Sequence, residues 1–131
     1  MTDNFTYEEK AKFSVASDLS KENRLIDAIP ILEELASGRP DCALFQAVLA
    51  NAYWESGNLS KAEDLFQLAA RLKPKWEKAS LGLFHVLWDQ RKHDEALNEI
   101  KRFMTISYSA DYDEFIKEIN ENIKGLPASD E

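Results

Sequence analysis

The sequence predicts an all-α fold, and two observations carry this prediction. Glycine and proline occur only four times each in 131 residues, while Ala, Leu, Glu and Lys dominate the composition and favour helices over strands. Ala28, Ala62 and Ala96 recur at one constant spacing inside similar local patterns, which indicates stacked repeats of one helical unit. The chain length suits one folding unit, so we expect a single domain over residues 1–126.

The first copy of the repeat spans residues 9–42. We expect two helices joined by a turn at residues 22–24, with Ala16 and Ala28 in columns where small residues recur. Small side chains in these columns let two antiparallel helices cross closely. Pro40 would end the second helix, because the residue before a proline is pushed out of the α region.

Pro30 departs from this pattern, since it lies inside the second helix of the first copy. A proline in a helix interior costs about 3 kcal/mol. We expect the helix to begin near Ile26, which would place the proline in the first turn or just after it and remove most of that cost.

The middle copy, residues 43–76, is the clearest of the three. Gly57 supplies the left-handed backbone geometry that ends its first helix, and Pro74 ends its second. Equivalent turns are expected at residues 22–24 and 90–92. The residues that hold the recurring columns are Leu49, Ala50, Tyr53, Ala62, Phe66, Ala69 and Pro74.

The third copy, residues 77–110, keeps Leu83 and Ala96, while Phe84 replaces a small residue. Exact register with the middle copy makes this weaker copy, like the first, credible as a repeat. We expect the helix pair to stand slightly wider here, because the phenylalanine is bulkier.

After the third copy the sequence changes character and predicts a terminal capping helix at about 111–124. Asp111 or Asp113 would cap its start and Gly125 its end. Its apolar positions, at helical spacing, are Tyr112, Phe115, Ile116, Ile119 and Ile123. The opposite face is polar, as the end of a repeat stack requires. We expect residues 127–131 to form a flexible tail.

A unit of about 34 residues with small residues in fixed columns and a terminal proline resembles the tetratricopeptide repeat. The resemblance covers residues 9–110, and the middle copy matches seven of the family's eight signature columns. Gln46 stands where the family has a tryptophan. The resemblance implies a short right-handed α-solenoid of helical hairpins, with about seven helices once the capping helix is counted.

The resemblance also implies a concave groove, lined by one face of the first helix of each copy, in which partner peptides lie. In the first copy the groove positions are Lys10, Phe13, Ser17 and Lys21. In the second and third copies they are Leu44, Ala47, Asn51, Trp54, Glu55, Lys78, Leu81, His85, Trp88 and Asp89.

Two tryptophans stand out among these positions, because Trp54 and Trp88 are themselves separated by one repeat length. Both are expected to point into the groove as a ladder of two indoles, flanked by Asn51 and His85. Tryptophan is over-represented among binding hot spots. In the alternative arrangement, the capping helix or the N-terminal segment folds into the groove and buries both indoles.

Some repeats of this family hold acidic chaperone tails with a clamp of basic and amide side chains. Asn51 and Lys78 fall on clamp positions, whereas Phe13, Ser17, Val48 and Gly82 occupy the other four. Two matching positions do not make a clamp, so this binding mode is not expected.

Charge and cysteine content narrow the class of partner. The net charge of −8 disfavours nucleic acid, which requires clustered Lys and Arg, and it would attract a basic protein. Cys42 is the only cysteine, which excludes an internal disulfide and a cysteine-based metal cage. The sequence has neither a signal-peptide pattern nor a long apolar run, so we expect a cytoplasmic protein that does not enter membranes.

Catalysis is not expected. His85 and His93 are the only histidines and belong to different predicted helices. The sequence has no Gly-rich phosphate loop, no nucleophile elbow and no pattern of metal ligands. We therefore expect a protein that is not an enzyme and uses no cofactor or metal.

The predicted function is protein binding, with a partner helix or extended peptide in the groove. An adaptor or a dedicated chaperone fits this description. The alternative is an immunity or inhibitor protein that neutralises a toxin, for which the acidic charge would suit a basic partner. A self-associating scaffold is a third hypothesis, so the chain is expected to be a monomer or a weak homodimer.

Overall fold

The computed structural model describes residues 4–124 of the chain, with the side chains of residues 123 and 124 left out. This part contains seven α-helices and no strand, which confirms the all-α prediction. The helices are α1 (Tyr7–Lys21), α2 (Leu25–Gly38), α3 (Ala43–Glu55), α4 (Leu59–Leu72), α5 (Glu77–Asp89), α6 (His93–Ile106) and α7 (Ala110–Lys124). The predictions for Gly125, the side chain of Ile123 and the tail lie outside the described residues.

Each helix from α1 to α5 packs against the next along the chain, so α1–α2, α3–α4 and α5–α6 form three stacked hairpins. The alanines of the recurring columns lie at the helix crossings, where no side-chain surface remains accessible. They are Ala16, Ala28, Ala50, Ala62 and Ala96. Phe66 fills the space beside them, and the core runs unbroken from α1 to α7. This arrangement confirms the predicted short solenoid.

The three turns inside the hairpins have the same backbone geometry. Asn23, Gly57 and Arg91 have positive φ angles of 62°, 89° and 64°, as a left-handed helix end requires. In each turn, the backbone N–H of the residue that follows the positive-φ residue donates a hydrogen bond to a carbonyl in the last turn of the preceding helix, at 2.8 to 2.9 Å. The recurrence of the turn predicted from the sequence is therefore confirmed.

Gln46, at the position of the family's tryptophan, is buried and closes the end of the preceding hairpin. Its side-chain amide donates to the carbonyls of Ala36, Arg39 and Pro40 at 3.1, 3.2 and 3.3 Å. Carbonyls at a helix C-terminus lack partners within the helix. The substitution thus replaces apolar bulk with a polar side chain that caps α2.

The capping helix α7 docks through Tyr112, which has no accessible surface. Its ring meets Phe84 and Phe103 edge to face, with centroids 5.6 and 5.9 Å away. Phe84, the bulky residue in a small-residue column, therefore serves the contact between the third hairpin and α7.

A chain of hydrogen-bonded polar groups, buried except for Arg102, continues from Tyr112. Ser80 Oγ donates to Glu99 Oε2 at 2.6 Å, so the Tyr112 hydroxyl, 2.7 Å away, donates to Ser80. Glu99 also accepts two hydrogen bonds from Arg102, at 2.6 and 2.8 Å. Burial is the main cause that raises the pKa of the Tyr112 hydroxyl. We call these four residues the α7 anchor.

Pro30 lies deeper in its helix than expected. Since α2 begins at Leu25, the proline is the sixth helical residue and falls in the second turn. Its nitrogen cannot donate to the carbonyl of Ile26, four residues earlier. The Ile26 side chain is 87% exposed, so this stretch of α2 faces solvent. The proline is thus tolerated because water reaches the helix surface here.

Replacing Pro30 with alanine should therefore stabilise the domain. The change restores a helical hydrogen bond and removes the ring clash, and the proline side chain is exposed, so little packing is lost. The loss of proline's restriction of the unfolded chain offsets part of this gain. We expect a net increase of about 1 kcal/mol in the free energy of unfolding by urea denaturation. An unchanged or lower midpoint would contradict this interpretation of α2.

Candidate functional site

The first helices of the three hairpins meet along one side of the solenoid, which we call the groove face. Phe13 of α1 packs on Phe45 of α3, with ring centroids 6.0 Å apart. Trp54 of α3 stacks on His85 of α5, with centroids 5.9 Å apart. Residues from all three repeats are thus brought together on one surface.

The predicted groove positions differ in exposure. Asn51, Glu55, Lys78, His85, Trp88 and Asp89 are exposed; Phe13, Leu44, Trp54 and Leu81 are half-buried; and Ala47 is buried. The groove face therefore has an apolar floor and a polar rim. Ala47 contributes to packing beneath the floor rather than to the accessible surface.

At the first repeat the groove face opens into a hollow of about 430 Å3 between α1 and α3. All four predicted positions of the first copy line it, together with Leu44. Two aromatic residues that the sequence analysis did not select, Phe5 and Phe45, complete its apolar wall. Lys10 and Lys21 are exposed at this hollow, and Glu9 and Asp18 also line it, so charges of both signs border it.

At the centre of the groove face, Trp54 is held in one orientation. Its ring lies almost parallel to the imidazole of His85, at an interplanar angle of 7°. Its indole N–H donates to Asp89 Oδ2 at 2.8 Å. One turn away, the Asn51 amide donates to Glu55 Oε1 at 2.6 Å. The indole is thus a fixed, partly accessible aromatic surface with polar groups around it.

Trp88 has a different environment from Trp54. It packs against Phe84 and against Phe115 of α7, with centroids 5.7 and 5.5 Å away, and His93 lies 4.3 Å from it. Its side chain is 37% exposed. The last repeat borders the capping helix, so the side of Trp88 that another repeat would cover is taken by α7.

The expected ladder of two indoles is therefore not a direct stack. Among the described contacts, His85 faces Trp54, while the aromatic neighbours of Trp88 belong to α5, α6 and α7. The physical reason is helix spacing, because equivalent columns on neighbouring helices lie about 8–10 Å apart and another side chain fills the gap.

The N-terminal segment, one of the two segments that the alternative arrangement placed in the groove, reaches the groove face at the first repeat, where Phe5 contacts Phe45 and Arg39 rather than either groove tryptophan. Phe5 stacks on Phe45 with centroids 4.8 Å apart, and the guanidinium of Arg39 lies 5.2 Å from the Phe5 ring centroid. Thr6 and Glu9 form a capping box that starts α1 at Tyr7. A hydrophobic residue just before such a cap commonly packs on the fourth residue of its own helix, but that residue is Lys10 here, so the sequence carried no signal for the contact with Phe45.

Arg39 organises this end of the groove face. It donates to both carboxylate oxygens of Glu9, at 2.6 and 2.8 Å, and to the carbonyl of Asn4 at 2.9 Å. The hydrogen bond from Arg39, with that from the Thr6 backbone, lowers the pKa of Glu9 to about 2. The ion pair therefore contributes stability above the ordinary glutamate pKa of about 4.3, and this contribution is lost only as the pH falls towards 2.

The described residues contain no group of three or more His, Cys, Asp or Glu side chains placed to hold a metal ion. The two histidines instead lie against tryptophans, His85 on Trp54 and His93 on Trp88. Among helices in the described part, none is long and apolar enough to cross a membrane.

Three stacked helical hairpins closed by a seventh helix, with one face lined by the first helix of each hairpin, define the class of α-helical repeat solenoids. Residues 19–79 match the sequence model of the tetratricopeptide repeat family. The match covers 61 of the 131 residues, and the helices outside it continue the same stack of hairpins, so the chain is similar to the tetratricopeptide repeat family.

Solved structures of tetratricopeptide repeat domains share the fold. The Sgt2 domain from Aspergillus fumigatus superimposes with a TM-score of 0.74 at 22% identity, covering 96% of this chain and 89% of that one. The first repeat domain of Spaghetti (RPAP3), bound to the HSP90 peptide SRMEEVD, gives 0.73 at 16% identity, covering 89% and 96%.

MamA from Desulfovibrio magneticus RS-1 gives a TM-score of 0.71 at 23% identity, covering 76% of this chain. This chain spans 56% of that MamA structure. No curated protein sequence matches the chain.

Proposed function

We propose that this domain is a non-enzymatic protein-interaction module that binds a helix or an extended peptide of another protein on the groove face, as an adaptor or a dedicated chaperone. The observation that carries the proposal is Trp54, an aromatic ring fixed at the centre of the face and still partly accessible. The structurally similar RPAP3 domain holds a peptide, which supports a role of the same kind.

The composition of the groove face suits a protein partner. Its floor is apolar and half-buried, and exposed polar groups surround it, which is the pattern of an interface core with a polar rim. Trp54 and His85 need no rearrangement before they contact a ligand, because both rings are already stacked. Such preorganisation lowers the entropy cost of binding.

An inhibitor or immunity protein that covers a basic toxin is the second candidate. The net charge of −8 favours it, since opposite charge accelerates association. Glu55 and Asp89, exposed on the rim, would add local attraction for a basic segment. The identity of the partner separates this role from those of adaptor and chaperone.

Truncating Trp54 to alanine should weaken partner binding by about 2 kcal/mol or more, which is about 30-fold in Kd, because hot-spot aromatics carry much of an interface. The wild type and the variant would each be immobilised and used to capture a partner from native lysate. Mass spectrometry would identify what is retained, and titration of the purified partner would give the affinities.

Ile26→Ala is the matched control, since Ile26 is 87% exposed and lies on α2, outside the groove face. It should retain the partner as the wild type does. Trp88→Ala is expected to weaken binding too, but Trp88 supports Phe115 of α7, so helical circular dichroism must be intact before that result is interpreted. Equal retention by wild type and Trp54→Ala would place binding on another surface and overturn the proposal.

A further inference from the structure

One end of the groove face already holds an aromatic side chain, that of Phe5, from a segment outside the helices. Residues 4–6 precede α1 without helical structure, and the Phe5 ring lies on Phe45 at an angle of 26°. Phe13 packs on the same Phe45 ring from α1. Phe45 is 2% exposed and forms the apolar surface on which the Phe5 ring packs. We call Phe13, Arg39 and Phe45 the aromatic seat.

Arg39 gives the seat two further means of recognition. Its guanidinium lies over the Phe5 ring, and it donates to the backbone carbonyl of Asn4, the residue before the aromatic one. A cation over a ring favours an aromatic side chain over an aliphatic one. The bond to a main-chain carbonyl requires only an extended peptide and no particular side chain.

The seat does not depend on Phe5 for its shape. Arg39 is held by both oxygens of Glu9, while Phe13 and Phe45 belong to helices α1 and α3. The start of α1 is secured by Thr6 and Glu9, which exchange hydrogen bonds at 2.8 and 3.0 Å. Withdrawal of Phe5 therefore leaves the seat formed and α1 capped.

Space for a longer ligand adjoins the seat. The hollow between α1 and α3, about 430 Å3, shares Phe5, Phe13 and Phe45 as its wall and continues to Leu44. A peptide whose aromatic residue entered the seat would extend along the same surface.

We propose that the aromatic seat is a recognition subsite for a Phe, Tyr or Trp side chain of an extended partner segment, and that the chain's own Phe5 occupies it until such a segment displaces it. The inference deepens the proposed function and rests on it for the identity of the ligand as a partner protein. Phe5 is joined to α1 through Thr6 alone, so it competes with a partner at a high effective concentration.

The test uses the full chain and a peptide copy of its own segment. The probe is an N-acetylated, C-amidated peptide of residues 2–6, TDNFT, whose only aromatic residue is the phenylalanine, and the control peptide carries alanine in its place. Binding is followed by 15N chemical shifts of the seat. Phe5→Ala, which vacates the seat, should bind the probe at least about tenfold more tightly than the wild type, because the tethered competitor is gone.

Tyr7→Ala is the matched control, since this neighbouring aromatic side chain is 89% exposed and leaves Phe5 in place. The Tyr7→Ala variant should bind the probe as weakly as the wild type does. The control peptide with alanine should not bind the wild type, Phe5→Ala or Tyr7→Ala. Equal affinity of Phe5→Ala and wild type, or equal binding of the two peptides, would overturn the subsite.

A second measurement, of thermal stability, tests the proposal even if the Phe5→Ala variant is less stable than the wild type. The probe should raise the Tm of Phe5→Ala and leave that of the wild type nearly unchanged, because only the variant has an empty seat. No increase at saturating probe would also overturn the proposal. Because no partner protein is used, failure here is distinguishable from failure of the Trp54 capture experiment.

Discussion

Replacing Glu99 with alanine should lower the free energy of unfolding by about 3 kcal/mol, because it removes the centre of the α7 anchor. Glu99 is 7% exposed and joins Ser80 to Arg102. Without it, the Ser80 hydroxyl loses its acceptor in a fully buried position, and the guanidinium loses two charge-assisted hydrogen bonds. Urea denaturation followed by circular dichroism would measure the loss.

Glu95→Ala is the matched control for this experiment. Glu95 lies one turn earlier on α6 and is exposed, so its removal should change stability by less than about 0.5 kcal/mol. Tyr112→Phe should lower the free energy of unfolding by an intermediate amount, about 1 to 2 kcal/mol, because it deletes one hydrogen-bond donor and leaves Ser80 bonded to Glu99. If Glu99→Ala were no more damaging than Glu95→Ala, the anchor would not stabilise the third repeat.

Gly82→Ala should destabilise the domain by about 2 kcal/mol, although alanine is the better helix former by about 1 kcal/mol. Gly82 lies inside α5, and a Cβ atom there would sit 2.3 to 2.7 Å from three ring atoms of Phe66 on α4. Phe66 is 4% exposed and packed in the core, so its ring cannot move aside without disturbing neighbours. The absence of a side chain therefore sets how closely α4 and α5 approach.

Gly38→Ala provides the comparison, since nothing lies within 4 Å of a Cβ atom at Gly38 near the end of α2. It should leave stability unchanged or raise it by up to about 1 kcal/mol. Adding Phe66→Leu should reduce the additional cost of Gly82→Ala, and a double-mutant cycle would report this coupling. Independent effects of the two substitutions would show that the clash is not the cause.

The groove face was predictable as a set of residues but not as a set of contacts. The repeat columns selected Trp54 and Trp88 as equivalent, and both lie at the surface of the first helices of their hairpins. Their neighbours differ because Trp54 has a repeat on each side, whereas Trp88 borders α7. Equivalence in a repeat breaks down at the last copy, where the next helix follows a different pattern.

The hydrogen-bond partners of polar residues in the apolar columns of the repeat also could not be predicted from the sequence. Gln46 and Ser80 occupy the same column in successive copies, yet one caps α2 and the other belongs to the α7 anchor. Phe5 was overlooked for a similar reason: it precedes the first copy of the repeat, whereas its partner Phe45 lies in the middle copy, 40 residues further along the chain. Periodicity describes where a side chain points but not which group meets it.

By itself, the sequence determined the repeat length, the three hairpin turns and the helices between them, because each depends on a few neighbouring residues with strong backbone preferences. Tertiary structure alone decided that Phe5 packs in the aromatic seat, that α7 supports Trp88 and that Glu99 is buried with Ser80 and Tyr112. These features join residues that are distant in the chain, and their energies depend on packing and desolvation that exist only once the helices have stacked.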